Sequence, residues 1–115
     1  GRTNLGRALE TVVRNELDRR GAEVGYVKTS AGLEVDFLAR FPAGGQALIQ
    51  VCADPREPAV LDRELRALEA ARSDFPRAEH MLFVLNREQV PAVQKANARA
   101  LTVYEWLLDE DSACR

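Results

Sequence analysis

Two carboxylates two positions apart stand in Gly32-Leu33-Glu34-Val35-Asp36-Phe37-Leu38, and a second short segment reads Leu48-Ile49-Gln50-Val51-Cys52. Side chains alternate along an extended chain. Glu34, Asp36, Leu38 and Arg40 are therefore expected on one face, and Leu33, Val35, Phe37 and Ala39 on the other. In the second segment Leu48, Gln50 and Cys52 would oppose Ala47, Ile49 and Val51. If the two strands pair across Pro42-Ala43-Gly44-Gly45, Asp36 and Gln50 come close together. Carboxylate and amide oxygens are hard ligands suited to Mg²⁺, which takes one or two carboxylates and keeps several waters. Such an ion could position a water and stabilise a phosphodiester transition state. The plainer reading of Glu34 and Asp36 is a solvated sheet face.

Acidic residues on the predicted helices add to this set. Glu16 projects into the middle of an apolar stripe made by Leu5, Ala8, Leu9, Val12, Val13 and Leu17, and Glu10 lies at its edge. Glu64 falls between Val60 and Leu68 on a second helix. A carboxylate that faces a core is costly unless it is paired or ligated. For Glu10 and Glu16 a site role stands beside a structural one, an ion pair with Arg14, Lys28 or Arg63 or a cap to a buried backbone group. Glu64 reads as structural.

The elements that would position these groups follow from turn signals and periodicity. Asn4 can cap a first helix that runs to about Arg20 and stops at Gly21. Three short segments rich in β-formers follow, Glu23 to Lys28, Leu33 to Arg40 and Gln46 to Cys52, separated by turns of hairpin length. Pro55-Arg56-Glu57-Pro58 breaks the chain and starts a helix to about Ser73. Met81 to Leu85 lacks polar alternation and reads as an interior strand covered on both faces. Residues 86–100 are ambiguous: a turn, then a short helix or irregular chain. A last strand is expected at Ala100 to Val103, then a helical turn from Tyr104 to Leu108 with Trp106 packed on the body. These expectations make residues 1–108 one α/β domain and 109–115 a flexible C-terminal tail.

Composition bounds the function. The chain has 115 residues, 46% hydrophobic and 30% charged, enough for one core and too apolar for disorder. A formal net charge of −2 argues against coating nucleic acid by bulk charge. Two distant cysteines, Cys52 and Cys114, are no disulfide framework and point to a reducing, cytoplasmic setting. No apolar run approaches a membrane span. The opening Gly1-Arg2-Thr3-Asn4 suggests a piece of a longer protein.

The stretch Leu9-Glu10-Thr11-Val12-Val13-Arg14-Asn15-Glu16-Leu17, then Gly32 to Phe37 and Leu48 to Cys52, resembles the C-terminal domain of a large family of prokaryotic AAA-type ATPases, a relative of the PD-(D/E)XK nucleases. Arg63 to Leu68 and Val103 to Leu108 resemble it too, so the likeness spans most of the chain. It implies a restriction-endonuclease-like core, a mixed sheet flanked by helices in the order α-β-β-β-α-β with a short C-terminal β/α. By that resemblance Glu10 matches the first-helix acid, Asp36 the metal-binding aspartate, and Gln50 the first acidic position of the signature, with Val51 between. Any Mg²⁺ would be held by Asp36, Glu10 and the Val51 carbonyl. Cys52 falls on the lysine position, and a thiol of pKa ~8.5 supplies no fixed positive charge at neutral pH. Lys28 and Arg63 are the candidate substitutes. The expectation is a degenerate site with doubtful Mg²⁺ binding, in a module that contacts DNA or a protein partner beside an upstream ATPase domain. An active Mg²⁺-dependent nuclease and a protein-interaction domain without nucleic-acid contact are the alternatives.

Other residues carry weaker signals. His80, the single histidine, reads as structural, and Trp106 and Tyr104 as core rather than a base-stacking platform. Cys52 lacks the histidine motif that would make it a reactive thiol. Arg14, Arg19 and Arg20 with Lys28 could form a basic edge for a phosphate backbone. No Walker motif is present.

Overall fold

The computed structural model describes residues 4–94 and 99–109. The first helix, α1 (Asn4–Arg19), ends where the sequence places its stop. Gly21 adopts φ +77°, its N–H donates to the Asp18 carbonyl, and the Ala22 N–H reaches the Leu17 carbonyl. That pair of bonds satisfies carbonyls a helix end otherwise leaves open, and the left-handed residue it needs is cheapest as glycine. The buried face of α1 is narrower than its apolar stripe. Leu9, Val13 and Leu17 are buried, whereas Leu5 is 47% and Val12 40% exposed.

Strands β1 (Glu23–Lys28), β2 (Glu34–Arg40) and β3 (Gln46–Val51) form an antiparallel meander. The β2–β3 turn closes through Phe41 N–H to the Gly45 carbonyl at 2.8 Å, with Gly44 at φ +101°. Helix α2 (Pro58–Ala71) then crosses over, so that β4 (Glu79–Val84) pairs parallel with β3. Pro58 in its first turn removes an N–H that would lack a partner there anyway. The ambiguous segment resolves into a 3₁₀ turn (Arg87–Gln89) and the five-residue α3 (Val90–Gln94). The Asn86 N–H donates to Gln89 Oε1, and Gln89 Nε2 reaches the Ala53 carbonyl, a long-range tie that local pattern does not reveal. Strand β5 (Arg99–Thr102) pairs parallel with β4, and α4 (Val103–Leu108) closes the described chain, capped by Thr102 Oγ1 accepting from the Glu105 N–H.

The result is a mixed five-stranded sheet in the order β1-β2-β3-β4-β5. On one face Leu9, Val13 and Leu17 of α1 pack with Phe37, Ile49, Val51, Phe83 and Trp106. On the other, Ala67, Leu68 and Ala71 of α2 cover Val27, Val35, Leu38 and Leu48, while Val60, Leu61 and Leu65 join Cys52, Leu82 and Val84. β4 is covered on both faces, which is why its sequence lacks alternation. Each fully buried Val, Leu or Ile in these layers contributes about 1.5–3 kcal/mol.

Among the described residues no helix is long and apolar enough to cross a membrane. Cys114 and residues 110–115 of the expected tail lie outside the described residues.

Candidate functional site

The two edges of β2 are out of step. Gly25 pairs with Leu38, but Val27 pairs with Val35, so two β2 residues, Asp36 and Phe37, face the single β1 residue Tyr26. One extra residue in a strand bends it and shifts the alternation of its side chains. Leu33 and Val35 accordingly pack under α2 with Leu38, whereas Phe37 and Ala39 pack under α1. This corrects the expected single face of Leu33, Val35, Phe37 and Ala39. Alternation still gives Glu34 and Asp36 a common face, on the α1 side, but Leu38 and Arg40 do not share it.

The β2–β3 ladder runs from Arg40–Gln46 to Phe37–Ile49. Beyond that point side chains join the two strands. The Asp36 N–H donates to Gln50 Oε1 at 2.8 Å, and the Val51 N–H donates to Asp36 Oδ2 at 2.8 Å. Gln50 Nε2 donates to the Glu34 carbonyl at 2.9 Å and to the Glu64 carbonyl of α2 at 3.3 Å. Gln50 is 0% exposed. Its amide has one acceptor oxygen and two N–H donors, and oxygen and nitrogen are both engaged with main chain. Asp36 and Gln50 are thus neighbours, but they touch through the Asp36 main chain while Gln50 reaches to the α2 side, and the contact of Val51 with Asp36 runs through its N–H.

The remaining site residues divide by layer. Glu10 is half-buried on α1, the helix that covers the Asp36 side of the sheet. Cys52 is buried on the opposite side, among Leu82, Val84 and the α2 leucines. Lys28 is exposed and pairs across β1–β2 with Glu34. Tyr26 flanks Val27, as Lys28 does, so both turn away from the α2 layer that buries Val27. Arg63 is exposed on α2. Glu64 is buried, and its main-chain carbonyl meets Gln50.

Glu16 has a structural role. Arg19 Nε and Nη2 donate to its two oxygens at 2.8 and 2.7 Å, and Arg20 Nε donates at 2.7 Å. The Arg19 contact, with Arg20 adding to it, holds the carboxyl down at about 2 against the opposing effect of burial. Arg20 also donates to the Trp106 carbonyl at 2.6 Å and lies 4.7 Å over the Trp106 ring, which stacks on Phe83. The partners predicted for Glu16 from sequence are therefore wrong: Arg14 pairs with Asp18 instead. The expected basic edge is dismantled by the same contacts, because the Arg20 side chain is only 4% exposed and ties α1 to α4.

His80 stands at the start of β4 and lines a cleft of about 320 Å³ with Arg72, Glu79 and Arg99. Burial pushes its pKa down, and the neighbouring Arg72 charge acts the same way. Trp106 is core, as expected, whereas Tyr104 is 51% exposed. Among the described residues no three His, Cys, Asp or Glu side chains are grouped so as to hold a metal ion.

Tyr26 was not singled out by sequence reasoning. It is 62% exposed, and the neighbouring Glu34 carboxylate raises its pKa. The available signal was its alternation with Val27 and Lys28 directly before the turn into Glu34.

No protein-family description matches the chain, and no curated protein matches it. Among solved structures it is similar to the crystal structure of a repair endonuclease from Pyrococcus abyssi, with TM-score 0.52 and 12% sequence identity. The match covers 89% of this chain and 47% of that one, so the chain spans about half the length of its structural neighbour. The fold is that of a restriction-endonuclease-like α/β domain.

Proposed function

We propose that this nuclease-like domain is a binding and regulatory module with a degenerate metal site, contacting nucleic acid or a protein partner beside an upstream AAA-type ATPase domain. The observation that carries it is the bonding of Gln50. At the position where the nuclease signature calls for a carboxylate, the side chain donates to two main-chain carbonyls. A carboxylate has no proton to give there. Residue 50 therefore serves as a splice between β2, β3 and α2. Cys52, on the lysine position, supplies no positive charge and is buried in the α2 layer. The ATPase connection rests on the sequence resemblance alone.

A second reading, an active Mg²⁺-dependent nuclease, is favoured by one feature. Lys28 shares a face with Glu34 and Asp36, so a cation stands beside the carboxylates from the neighbouring strand. Were an ion bound, Asp36 and Glu10 would supply its charged ligands, and it would offer the attacking water a lowered pKa.

Calorimetric titration with Mg²⁺ and Mn²⁺ separates the two. The expected outcome is weak or undetectable binding, unchanged in Asp36→Ala. Tight binding abolished by Asp36→Ala overturns the degenerate-site reading in favour of the nuclease. Steeply salt-dependent binding of DNA would remove a purely protein-binding role. A G-x-x-x-x-G-K-[ST] string upstream in the gene would support the ATPase connection.

A further inference from the structure

Parallel pairing brings the starts of β4 and β5 together at the end of the sheet away from Gln50. Glu79 pairs with Ala47 and His80 with Leu48 near the start of β3, whereas Gln50 pairs with Leu82 further along. Arg99 opens β5 beside Met81, and its Nη1 donates to Glu79 Oε2 at 3.1 Å. Arg72 stands at the C-terminal end of α2. Arg72, Glu79, His80 and Arg99 line one cleft of about 320 Å³ with Pro76 and Ala78. The charges of that lining do not balance: two guanidiniums meet one carboxylate, in a chain whose net charge is −2. The Glu79 contact takes one N–H of a group that carries five. Arg72 reaches Glu69 only at 3.7 Å, with the two side chains 67% and 71% exposed, a pair worth little in water.

We infer that this cleft takes the phosphate group of a small phosphorylated molecule, with Arg72 and Arg99 as its charged donors and His80 as a third. Guanidinium forks match phosphate oxygens, and the bonds are strengthened by charge. Donors from three elements, α2, β4 and β5, suit a tetrahedral group with three free oxygens, whereas a carboxylate offers two. The volume lies at the small end of ligand pockets, and Pro76 and Ala78 give the lining little apolar surface, so the body that carries the phosphate is small and polar. The half-buried His80 answers to the same occupant. Burial and Arg72 hold its imidazolium off, and Glu69 acts in the opposite direction. Glu79 and Arg99 are the other charges on the cleft, and β3 brings only Ala47 and Leu48 against it. A dianion there offsets the arginines and favours the protonated ring. The inference is independent of the proposed function, because Asp36, Gln50 and Cys52 take no part in it.

His80 is the single histidine, so its ring protons report on the cleft directly in a proton NMR spectrum. Glycerol 1-phosphate, titrated at neutral pH and constant ionic strength against a chloride control, is expected to shift those resonances saturably. Arg72→Gln and Arg99→Gln, both at exposed positions, should each weaken that binding roughly three-fold or more. Affinities are compared rather than resonance positions, because Arg72 itself moves the His80 titration. Sulfate, a tetrahedral dianion whose charge stays fixed across the range, should raise the pH midpoint of His80 in the parent chain. A response no larger than the chloride control, or equal affinity in both glutamine variants, overturns the site. Acetate binding as tightly as glycerol 1-phosphate overturns the assignment to phosphate, and a His80 midpoint that sulfate leaves in place overturns the role of the imidazole.

Discussion

Gln50 and Asp36 hold each other from opposite directions: the Gln50 oxygen accepts the Asp36 N–H at 2.8 Å, and the Asp36 carboxylate accepts the N–H of Val51, the residue next to Gln50. The bonds replace the main-chain ladder beyond Phe37–Ile49. Because Gln50 also donates to Glu34 and Glu64, one side chain satisfies main chain from two strands and a helix.

An acid at this position should therefore be costly. In Gln50→Glu a buried carboxyl would face two carbonyl oxygens, so the domain is expected to lose on the order of 2 kcal/mol at neutral pH. A carboxyl so placed favours its protonated form, with a folded pKa above the unfolded one. Its deficit should shrink below about pH 4, where the unfolded carboxyl is also protonated, and grow as pH rises. Urea midpoints across pH check this. A variant as stable as the parent at pH 7 would show that residue 50 is no structural splice.

Replacing the buried thiol by a lysine should be worse. Cys52→Lys would place an ammonium among Leu82, Val84 and the leucines of α2, at a cost of roughly 3 kcal/mol or more, or drive its pKa far down. Folding yield and thermal unfolding read the cost directly. A stable Cys52→Lys chain that gains metal-dependent cleavage would contradict the placement of this residue in the α2 layer.

The Glu16 cluster predicts an acid limb. Its carboxyl sits at about 2 in the fold against 4.5 for an ordinary glutamate, chiefly through Arg19. The sign follows from the lowered value. The stabilisation is fully present above about pH 4.5 and is lost as pH falls towards 2, and it amounts to the order of 2 kcal/mol. Glu16→Gln should lower the denaturant midpoint at pH 7 and flatten its decline between pH 4.5 and 2.5. Fluorescence of Trp106, the single tryptophan, is a suitable probe because Arg20 links Glu16 to its ring. Parallel pH profiles for parent and variant would rule out the pair as the source.

Much of the scaffold was legible in the chain itself. Glycine and proline punctuation marked the stops at Gly21 and before Pro58, because only certain backbone angles satisfy the open groups at helix and turn ends. The unalternated Met81 to Leu85 run announced a strand covered on both faces. Residues 79–80 joined β4 unannounced, since the charged Glu79 and polar His80 carry no apolar pattern and are recruited by parallel pairing with Ala47 and Leu48. The turn and short helix of residues 87–94 were offered only beside irregular chain, because the segment is held by the long reach of Gln89 to Ala53.

At the site the division is sharper. Residue types and alternation determined that acids on one strand would stand near a glutamine on the next; that a carboxylate and a lysine belong at residues 50 and 52 came from the resemblance alone. Alternation is a local rule, and it fails wherever a strand takes in an extra residue. Only the pairing of β2 with β1 fixed the bulge at Asp36 and Phe37 and sent Val35 to the other layer. Only tertiary contact decided the ionic partners of Glu16 and the carbonyls that occupy Gln50, because a long side chain chooses among several donors by which of them the packed helices bring within reach.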